Sequence, residues 1–333
     1  MRDRPLLKPR AVRPGDRVAV IAPASAFPPE ALEAGLDELR RLGFDPVVTP
    51  GVSDRLRYTA GAPEARARDF MAAWRDPGVA AILAARGGYG SAELLPLLPI
   101  DTLRHSPKVL VGFSDITSLL CVVTTRCGMT ALHGPTVAGE LAGGTGRYDR
   151  DSLVRALTSV EPAGELEATA LDVVAAGEAE GPLLGGNLTQ LAASMGTPYA
   201  FDPPDGCVLF LEDVNERPYR VDRLLTQLKH AGILGRAAAL VFGEMPGCDE
   251  PDATITAREV VRDACRGFTG PVLWGLPAGH TSGPALTLPL GVRARVVSDP
   301  HPAVVLLESA VTELADPRGS HPESRAPNPE SRE

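Results

Sequence analysis

The sequence has few of the features that direct a protein into a membrane or onto nucleic acid. No apolar run among its 333 residues approaches the roughly 18 to 20 residues that span a bilayer. Its 33 Lys and Arg residues are outnumbered by 42 Asp and Glu residues, which gives a net charge of -9. Because phosphate binding requires a basic surface, this balance argues against a nucleic-acid partner. The N-terminus is basic but has no apolar core of the kind found in signal peptides.

Cysteines and metal-binding motifs are also sparse. The five cysteines are odd in number and form no C-x-x-C pair, and Cys121, Cys207 and Cys265 lie in apolar runs typical of core thiols. There is no H-x-x-H motif, no H-E-x-x-H motif and no cysteine cluster. We therefore expect a protein of the reducing cytoplasm that binds no metal and no other cofactor.

What is present is an ordinary globular composition, 44% hydrophobic and 23% charged, over a length typical of two domains. In the first half, predicted strands at 17–22, 46–49, 79–84, 109–113 and 130–133 alternate with helices at 28–42 and 63–76 and from 91 and 115. This alternation predicts parallel βαβ units, and hence an α/β domain with a doubly wound parallel sheet. Ligands bind such sheets beyond the carboxyl ends of the strands.

The second half has closely spaced strands and few helices. Strands are predicted at 207–212, 237–242, 271–274, 285–289, 292–298 and 303–308, with substantial helices at 218–231 and 256–265. This pattern predicts a β-rich α+β domain. We place the first domain at residues 1–160, an interdomain crossover at 161–181, the second domain at 182–314 and a polar, disordered tail at 315–333.

A predicted strand and a predicted helix meet at Ser114. A corner this tight exposes the hydroxyl at the carboxyl end of the sheet and directs the first helix amides, including that of Asp115, toward whatever the serine attacks. The arrangement resembles a nucleophile elbow, although Ile116 replaces the second glycine of the G-x-S-x-G pattern that Gly112 begins. Alternatively, Ser114 caps the helix, and this stretch alone leaves both interpretations open.

A serine nucleophile needs a general base, and the six histidines differ in their surroundings. His280 lies in a loop between predicted strands, with glycines on both sides. Such a loop does not need an imidazole for packing, and it can place the ring at the interface with another part of the protein. His133 ends an apolar strand and is predicted to be a structural histidine whose ring is satisfied. Surface, turn or tail positions are predicted for His105, His230, His301 and His321.

Glu212 is the preferred candidate for the acid that orients the base. It ends the apolar run from Cys207, so its carboxylate lies at the rim of a buried strand. Strand alternation sends Glu212 and Asp213 to opposite faces. In the competing interpretation, either residue merely begins the turn before the next helix.

Residues 87–90, which we call the glycine loop, have three open interpretations. The loop can cradle a phosphate, supply an oxyanion-hole amide or simply turn the chain from strand to helix. Because it does not complete G-x-G-x-x-G and no Walker lysine follows, the dinucleotide and P-loop interpretations are weak.

Short sequence blocks occur together in a characteristic order. They are ARGGYG (85–90), GFSDIT (112–117), LHGP (132–135), LGGNL (184–188), LEDV (211–214) and GHT (279–281). Their ordered combination resembles the LD-carboxypeptidase family of serine peptidases, which includes murein tetrapeptide carboxypeptidases and microcin C immunity peptidases. The resemblance covers roughly residues 15 to 310.

The resemblance implies a Rossmann-like N-terminal domain, a β-rich C-terminal domain and a catalytic triad divided between them. The residues carried over by motif are the nucleophile Ser114, the acid Glu212, the base His280 and the oxyanion-hole amides of Gly88 and Asp115. As substrate-binding residues we suggest Asn187 and Arg86, the second of which has a structural alternative.

The implied activity is the release of terminal D-alanine from a murein tetrapeptide during cell-wall recycling, by a cytoplasmic homodimer. Leu184 stands where some family members carry tryptophan, and the chain is short for extra substrate-binding insertions, which favours a murein peptide over a microcin-type substrate. The alternatives are a microcin C-like peptide–nucleotide immunity peptidase, an amidase or esterase with the same triad, and a non-catalytic nucleotide-binding Rossmann-like module.

Overall fold

The computed structural model contains two β-sheets. It describes residues 6–168 and 171–313. The strands are β1 (Arg17–Ile21), β2 (Asp45–Val48), β3 (Val79–Ala84), β4 (Val109–Gly112), β5 (Ala131–His133), β6 (Gly164–Glu165), β7 (Asp172–Ala175), β8 (Glu178–Asn187), β9 (Cys207–Glu212), β10 (Ala237–Gly243), β11 (Val272–Leu276), β12 (Leu288–Leu290), β13 (Arg293–Val297) and β14 (Ala303–Leu306). The α-helices are α1 (Pro29–Arg41), α2 (Pro63–Arg75), α3 (Thr117–Cys121), α4 (Arg150–Thr158), α5 (Leu188–Ser194), α6 (Pro218–His230), α7 (Ile233–Arg236) and α8 (Ala257–Ala264). Short 3-10 helices lie at Ser91–Leu97, Ile100–His105, Ser114–Ile116 and Gly144–Gly146, and π-helical segments at Val122–Arg126 and Val137–Leu141.

The first sheet has six strands in the order β12-β5-β4-β3-β1-β2. The strands from the first half of the chain are all parallel, and β12 is antiparallel to β5 at one edge. Along β1, Val18 and Val20 lie in the core that α1 covers. Ala19 and Ile21 lie in the core on the other face, which α2 covers. The structure therefore confirms the doubly wound parallel sheet, because the strands are apolar on both faces and helices cover both.

The strand order of the first sheet reverses beside β1. The chain runs outward from β1 to β2 and then returns to β3 on the opposite side of β1. A crevice forms beyond the carboxyl ends of the strands at such a reversal. The glycine loop follows β3 and Ser114 follows β4, so both of these predicted elements lie at this crevice.

The second sheet has eight strands in the order β6-β14-β13-β8-β9-β10-β11-β7. Its centre, from β8 to β11, is parallel, and its flanks are antiparallel. Along β9, Leu209 and Leu211 lie in the core that α5, α6 and α8 cover. Val208 and Phe210 lie in the core shared with the first sheet. The predicted β-rich α+β architecture is confirmed, and the two sheets share one apolar layer.

The segment 161–181, predicted as a crossover, contains β6, β7 and the beginning of β8. Glycines hide β8 from sequence analysis because they have low strand propensity. Pairing with β9 requires them, since a Cβ at Gly185 would lie 2.0 Å from the carbonyl oxygen of Phe210. The domain boundaries stay predictions, and the predicted tail lies outside the described residues. No helix in the described ranges is long and apolar enough to span a bilayer.

Candidate active site

Ser114 lies at the corner between β4 and the helical segment that contains α3. The strand ends at Gly112 and the 3-10 turn begins at Ser114 itself. Ser114 has a φ of +60°, a left-handed conformation that is uncommon outside glycine and that suits a strained nucleophile elbow. The side chain of Ile116, which replaces the second motif glycine, packs on Gly112, where a Cβ would lie 2.8 Å from Cγ2 of Ile116. Ser114 does not cap this helix, so the geometry favours the elbow interpretation.

The glycine loop lies directly against Ser114. A Cβ added to Gly87 would lie 3.0 Å from Cβ of Ser114 and 3.2 Å from its Oγ. A Cβ added to Gly88, whose φ is +96°, would lie 2.4 Å from Oγ of Ser25. Only glycine permits this approach. Within the described ranges, the N–H groups of Gly88 and Asp115 donate no hydrogen bond, so both can serve an oxyanion.

Asp115 joins the elbow to the end of the glycine loop. Its buried carboxylate accepts the backbone N–H of Ser91 at 2.8 Å, and its carbonyl oxygen accepts the Ser91 hydroxyl at 2.5 Å. Burial raises the pKa of the Asp115 carboxyl above its ordinary value, although hydrogen bonds from Ser91 oppose the shift. The two hydrogen bonds between Asp115 and Ser91 therefore hold the backbone amide of Asp115 in place.

Glu212 and His280, 68 residues apart in the chain, form a hydrogen-bonded pair. Glu212 ends β9 and its side chain is fully buried, whereas His280 lies after β11 with its side chain 21% exposed. Nδ1 of His280 lies 2.7 Å from Oε2 of Glu212, and the backbone N–H of His280 donates to the same oxygen at 2.9 Å. An acid that holds Nδ1 leaves Nε2 able to accept a proton from a nucleophile.

Glu212 and His280 each stabilise the charged form of the other. Burial by itself would raise the pKa of Glu212, but hydrogen bonds from His280 and its positive charge outweigh burial and lower that pKa. Burial by itself would lower the pKa of His280, but the hydrogen bond to Glu212 and the negative charges of Glu212, Asp213 and Glu140 together outweigh burial and raise that pKa. The carboxylate therefore stabilises the imidazolium that forms when His280 takes a proton.

Two glycines make room for the Glu212 carboxylate. A Cβ on Gly243, at the end of β10, would lie 2.8 Å from Cβ of Glu212. A Cβ on Gly279 would lie 2.6 Å from Cδ of Glu212, and Gly279 has a φ of +76°. The loop that carries His280 can therefore close over the carboxylate only because Gly279 has no side chain.

Gly279→Ala is expected to separate the pair. The methyl group would displace the carboxylate from Nδ1 of His280, so we expect kcat to fall by about 100-fold and the free energy of unfolding by about 2 kcal/mol. Gly283→Ala, in the same loop, is the matched control, because its Cβ would meet no atom of the described residues within 4 Å. Turnover and urea unfolding of both variants test this. Equal effects of the two substitutions would contradict it.

Phe113 joins the two halves of the site. Its ring centroid lies 4.9 Å from that of His280, with the planes tilted by 60°. Because Ser114 follows Phe113 directly, the imidazole reached from the second sheet lies beside the serine corner of the first. In the described part of the chain, no hydrogen bond joins the Ser114 hydroxyl to His280. Hydrogen bonds of this kind commonly tighten only when a substrate binds.

Both halves of the chain match one family of peptidases. Residues 18–134 match the model of the LD-carboxypeptidase N-terminal domain, and residues 180–296 match that of the C-terminal domain. The chain belongs to the LD-carboxypeptidase family. The predicted resemblance is thereby confirmed, together with the predicted enzyme class of serine carboxypeptidase.

Named relatives of this LD-carboxypeptidase include enzymes of murein processing. The murein tetrapeptide carboxypeptidase of Pseudomonas aeruginosa is 36% identical over 270 residues, which cover 79% of this chain and 88% of that protein. The crystal structure of muramoyltetrapeptide carboxypeptidase from Oxalobacter formigenes has a TM-score of 0.79 and 31% identity, covering 89% of this chain and all of that one. The microcin C7 self-immunity protein of Escherichia coli is 26% identical over 305 residues, covering 84% and 88% of the two chains.

Asn187 lies beside Glu212 in the register of β8 and β9. Its buried side-chain amide donates to Oε1 of Glu212 at 3.3 Å and to Oδ1 of Asp213 at 3.2 Å. Its Oδ1 accepts the N–H of Gln190 at the start of α5, and its own N–H donates to Oγ1 of Thr117 at 3.1 Å. These contacts favour a positioning role for Asn187, whose predicted contact with substrate stays a prediction. Thr117 was given no role from the sequence. Asp213 was expected to face away from Glu212, yet the side-chain amide of Asn187 reaches both carboxylates.

Arg86 lies at the start of the glycine loop with an exposed side chain. Its guanidinium donates to the carbonyl oxygen of Ala26 at 3.2 Å, which links the loops after β1 and β3. Because the guanidinium makes this one exposed hydrogen bond to the described residues, its other donors are available to a substrate carboxylate. Its predicted binding role stays a prediction.

His133 is fully buried behind the site. Its ring packs edge-on against Phe113, at 5.8 Å between centroids, and against Phe210, at 5.3 Å. Neither ring nitrogen has a hydrogen-bond partner among the described residues, so the prediction of a satisfied histidine is wrong. The apolar neighbours that exclude water from this layer also deprive the ring of partners. Burial lowers the pKa of His133 to about 4.

His133 is expected to make folding sensitive to acid. Between pH 6.5, its ordinary pKa, and about 4, the unfolded chain binds a proton that the folded chain does not. The free energy of unfolding therefore falls as the pH falls, by roughly 2 to 3 kcal/mol from this group. Urea unfolding of the parent and of His133→Phe, at about pH 7 and pH 4.5, tests this. The variant should lose less stability in acid, and equal losses in both proteins would contradict the assignment.

Proposed function

We propose that the protein is a serine LD-carboxypeptidase that releases terminal D-alanine from a murein tetrapeptide, with Ser114, Glu212 and His280 as its triad. The observation that carries the proposal is the Glu212–His280 pair, held beside the strained serine corner by Phe113. The relatives named for murein tetrapeptides support the choice of substrate.

The reaction begins with proton transfer from Ser114 to Nε2 of His280. As Oγ of the serine attacks the carbonyl carbon on the L-residue side of the bond, Glu212 holds the imidazole at Nδ1 and stabilises its positive charge. The amides of Gly88 and Asp115 donate to the oxyanion, and each such donor contributes about 3 to 4 kcal/mol in comparable sites. His280 then protonates the departing amine of D-alanine.

The second half of the reaction releases the shortened peptide. His280 takes a proton from water as the water oxygen attacks the ester carbonyl, and the protonated His280 returns that proton to Oγ of Ser114 as the ester bond of the tetrahedral intermediate breaks. The products are free D-alanine and a tripeptide. One nucleophile, one base and one pair of amides therefore serve both steps.

The direct test is incubation of the purified protein with a murein tetrapeptide, followed by an assay for free D-alanine and for the tripeptide. We expect stoichiometric release of both. A parallel reaction with an aminoacyl-nucleotide conjugate tests the microcin-type alternative, which the fold similarity to the immunity protein keeps relevant. Cleavage of the conjugate alone would overturn the proposed substrate. Size-exclusion chromatography with light scattering tests the expected homodimer, and the cytoplasmic location stays a prediction.

A further inference from the structure

Two tyrosines beside the proposed oxyanion loop are left exposed. Tyr58 is 59% exposed and Tyr89 is 51% exposed, and their rings meet edge to face with centroids 5.3 Å apart. Tyr89 belongs to the glycine loop and follows Gly88 directly. Exposed aromatic side chains that cluster next to a reactive centre are typical of binding surfaces, because they offer a large rigid contact area at low entropic cost.

The pair is built into the same loops that form the site. The N–H of Tyr89 donates to Oγ of Ser25 at 3.0 Å, and Ser25 is also the residue that closely approaches Gly88. The carbonyl oxygen of Tyr58 accepts the N–H of Ala26 at 3.3 Å. One loop, after β1, therefore fixes both tyrosines relative to the proposed oxyanion hole.

A groove lies beside Tyr58, one member of the pair. Its volume is about 300 Å³, and it is lined by Leu56, Arg57, Tyr58, Thr59, Pro63 and Glu93. Reciprocal backbone hydrogen bonds between Leu56 and Thr59, at 2.9 and 3.0 Å, hold Tyr58 in a tight turn. Glu93 is fixed by an ion pair with the buried Arg66. The lining therefore combines aromatic, apolar and charged groups on a rigid frame, as peptide-binding surfaces do.

We infer that Tyr58 and Tyr89 bind the part of the peptide that precedes the scissile bond. This inference rests on the proposed function, in which the leaving group is a single alanine. One methyl side chain is too small to cover two tyrosine rings and the groove beside them, whereas the acyl part of a tetrapeptide is three residues long. The tyrosine pair therefore favours peptides with residues upstream of the scissile bond, and Ser114 attacks that bond.

The test compares two substrates with the same scissile bond, the tetrapeptide and the L,D-dipeptide that lacks the upstream residues. In Tyr58→Ala/Tyr89→Ala we expect kcat/KM for the tetrapeptide to fall by roughly 30-fold, mainly through KM, because hot-spot aromatic contacts have this magnitude. For the dipeptide we expect a change of less than about twofold. Tyr58→Phe/Tyr89→Phe keeps both rings and should retain most of the activity on the tetrapeptide.

The outcomes separate this inference from the proposed function. Equal losses on both substrates, or no loss on either, would overturn the inference, because the pair would then shape the glycine loop or do nothing. If the parent protein releases D-alanine from neither substrate, the proposed function is refuted and the inference falls with it.

Discussion

Ser114→Ala is expected to lower kcat for D-alanine release by roughly 10⁵-fold or more, which is the scale seen when a serine nucleophile is removed. The hydroxyl supplies the atom that attacks, and Ser114 is the hydroxyl that the elbow places against the glycine loop. The fold should persist, because the Ser114 side chain caps no helix and only one oxygen is lost. D-alanine release and labelling by a serine-directed covalent reagent measure the effect.

Two further variants separate the effect of Ser114→Ala on catalysis from any effect on folding. Ser118→Ala changes a serine on the same helix whose hydroxyl hydrogen-bonds to Gln190, and it should leave turnover within about twofold of the parent. Ser114→Gly should be as inactive as Ser114→Ala but at least as stable as the parent, because glycine adopts a φ of +60° without strain. Release of D-alanine by Ser114→Ala at the parent rate would refute the assignment of the nucleophile.

Glu212→Gln is expected to lower kcat by about 10³- to 10⁴-fold with little change in KM. Oε2 of Glu212 accepts two donors from His280, and Oε1 accepts the amide of Asn187. A glutamine offers one acceptor and one NH₂ group, so whichever way it is placed, a donor faces another donor. The imidazole then loses the carboxylate that stabilises its cation, and where the NH₂ group faces the ring it also loses its fixed tautomer.

Asp213→Asn is the comparison for Glu212→Gln. Asp213 is a neighbouring buried carboxylate that accepts the N–H and hydroxyl of Thr189, and it makes no hydrogen bond to His280 among the described residues. Its loss should lower stability more than turnover per folded molecule. The pH profile of kcat/KM adds a second readout, since loss of Glu212 should lower the pKa of the base on the acid limb. A Glu212→Gln enzyme that keeps more than about a tenth of the parent kcat would contradict the role.

The strands and helices predicted correctly from the sequence are those whose hydrophobic pattern lies within a single segment. Strand β1 is an apolar run that follows Arg17 and stops before Pro23, β9 is an apolar run that ends at Glu212, and α1 carries leucines at helical spacing. Each is therefore visible within one segment. The elements that sequence analysis missed depend on partners. Strand β8 is rich in glycine and forms by pairing with β9, and α5 is a short helix that Asn187 caps. The pairing of β12 with β5, which brings the second half of the chain into the first sheet, has no signal in either segment alone.

The error at His133 has the same origin. A histidine at the end of an apolar strand ordinarily finds a hydrogen-bond partner, and that rule predicted a satisfied ring. The surroundings of the ring are decided by the packing of Phe113, which follows β4 of the first sheet, and Phe210, which lies in β9 of the second, and neither side chain offers an acceptor or donor. A rule about one residue cannot anticipate neighbours that come from distant parts of the chain.

The sequence by itself determined the serine corner after β4, the acid at the end of β9, the glycine-bracketed histidine and, through the ordered blocks, the peptidase family, because each is encoded in a short stretch. Tertiary structure alone decided that Glu212 and His280 meet at 2.7 Å, that Gly279 leaves space for the carboxylate and that Phe113 sets the imidazole beside the serine corner. The physical reason is that these contacts join segments far apart in the chain, and their distances are set by how the two sheets pack across a shared apolar layer.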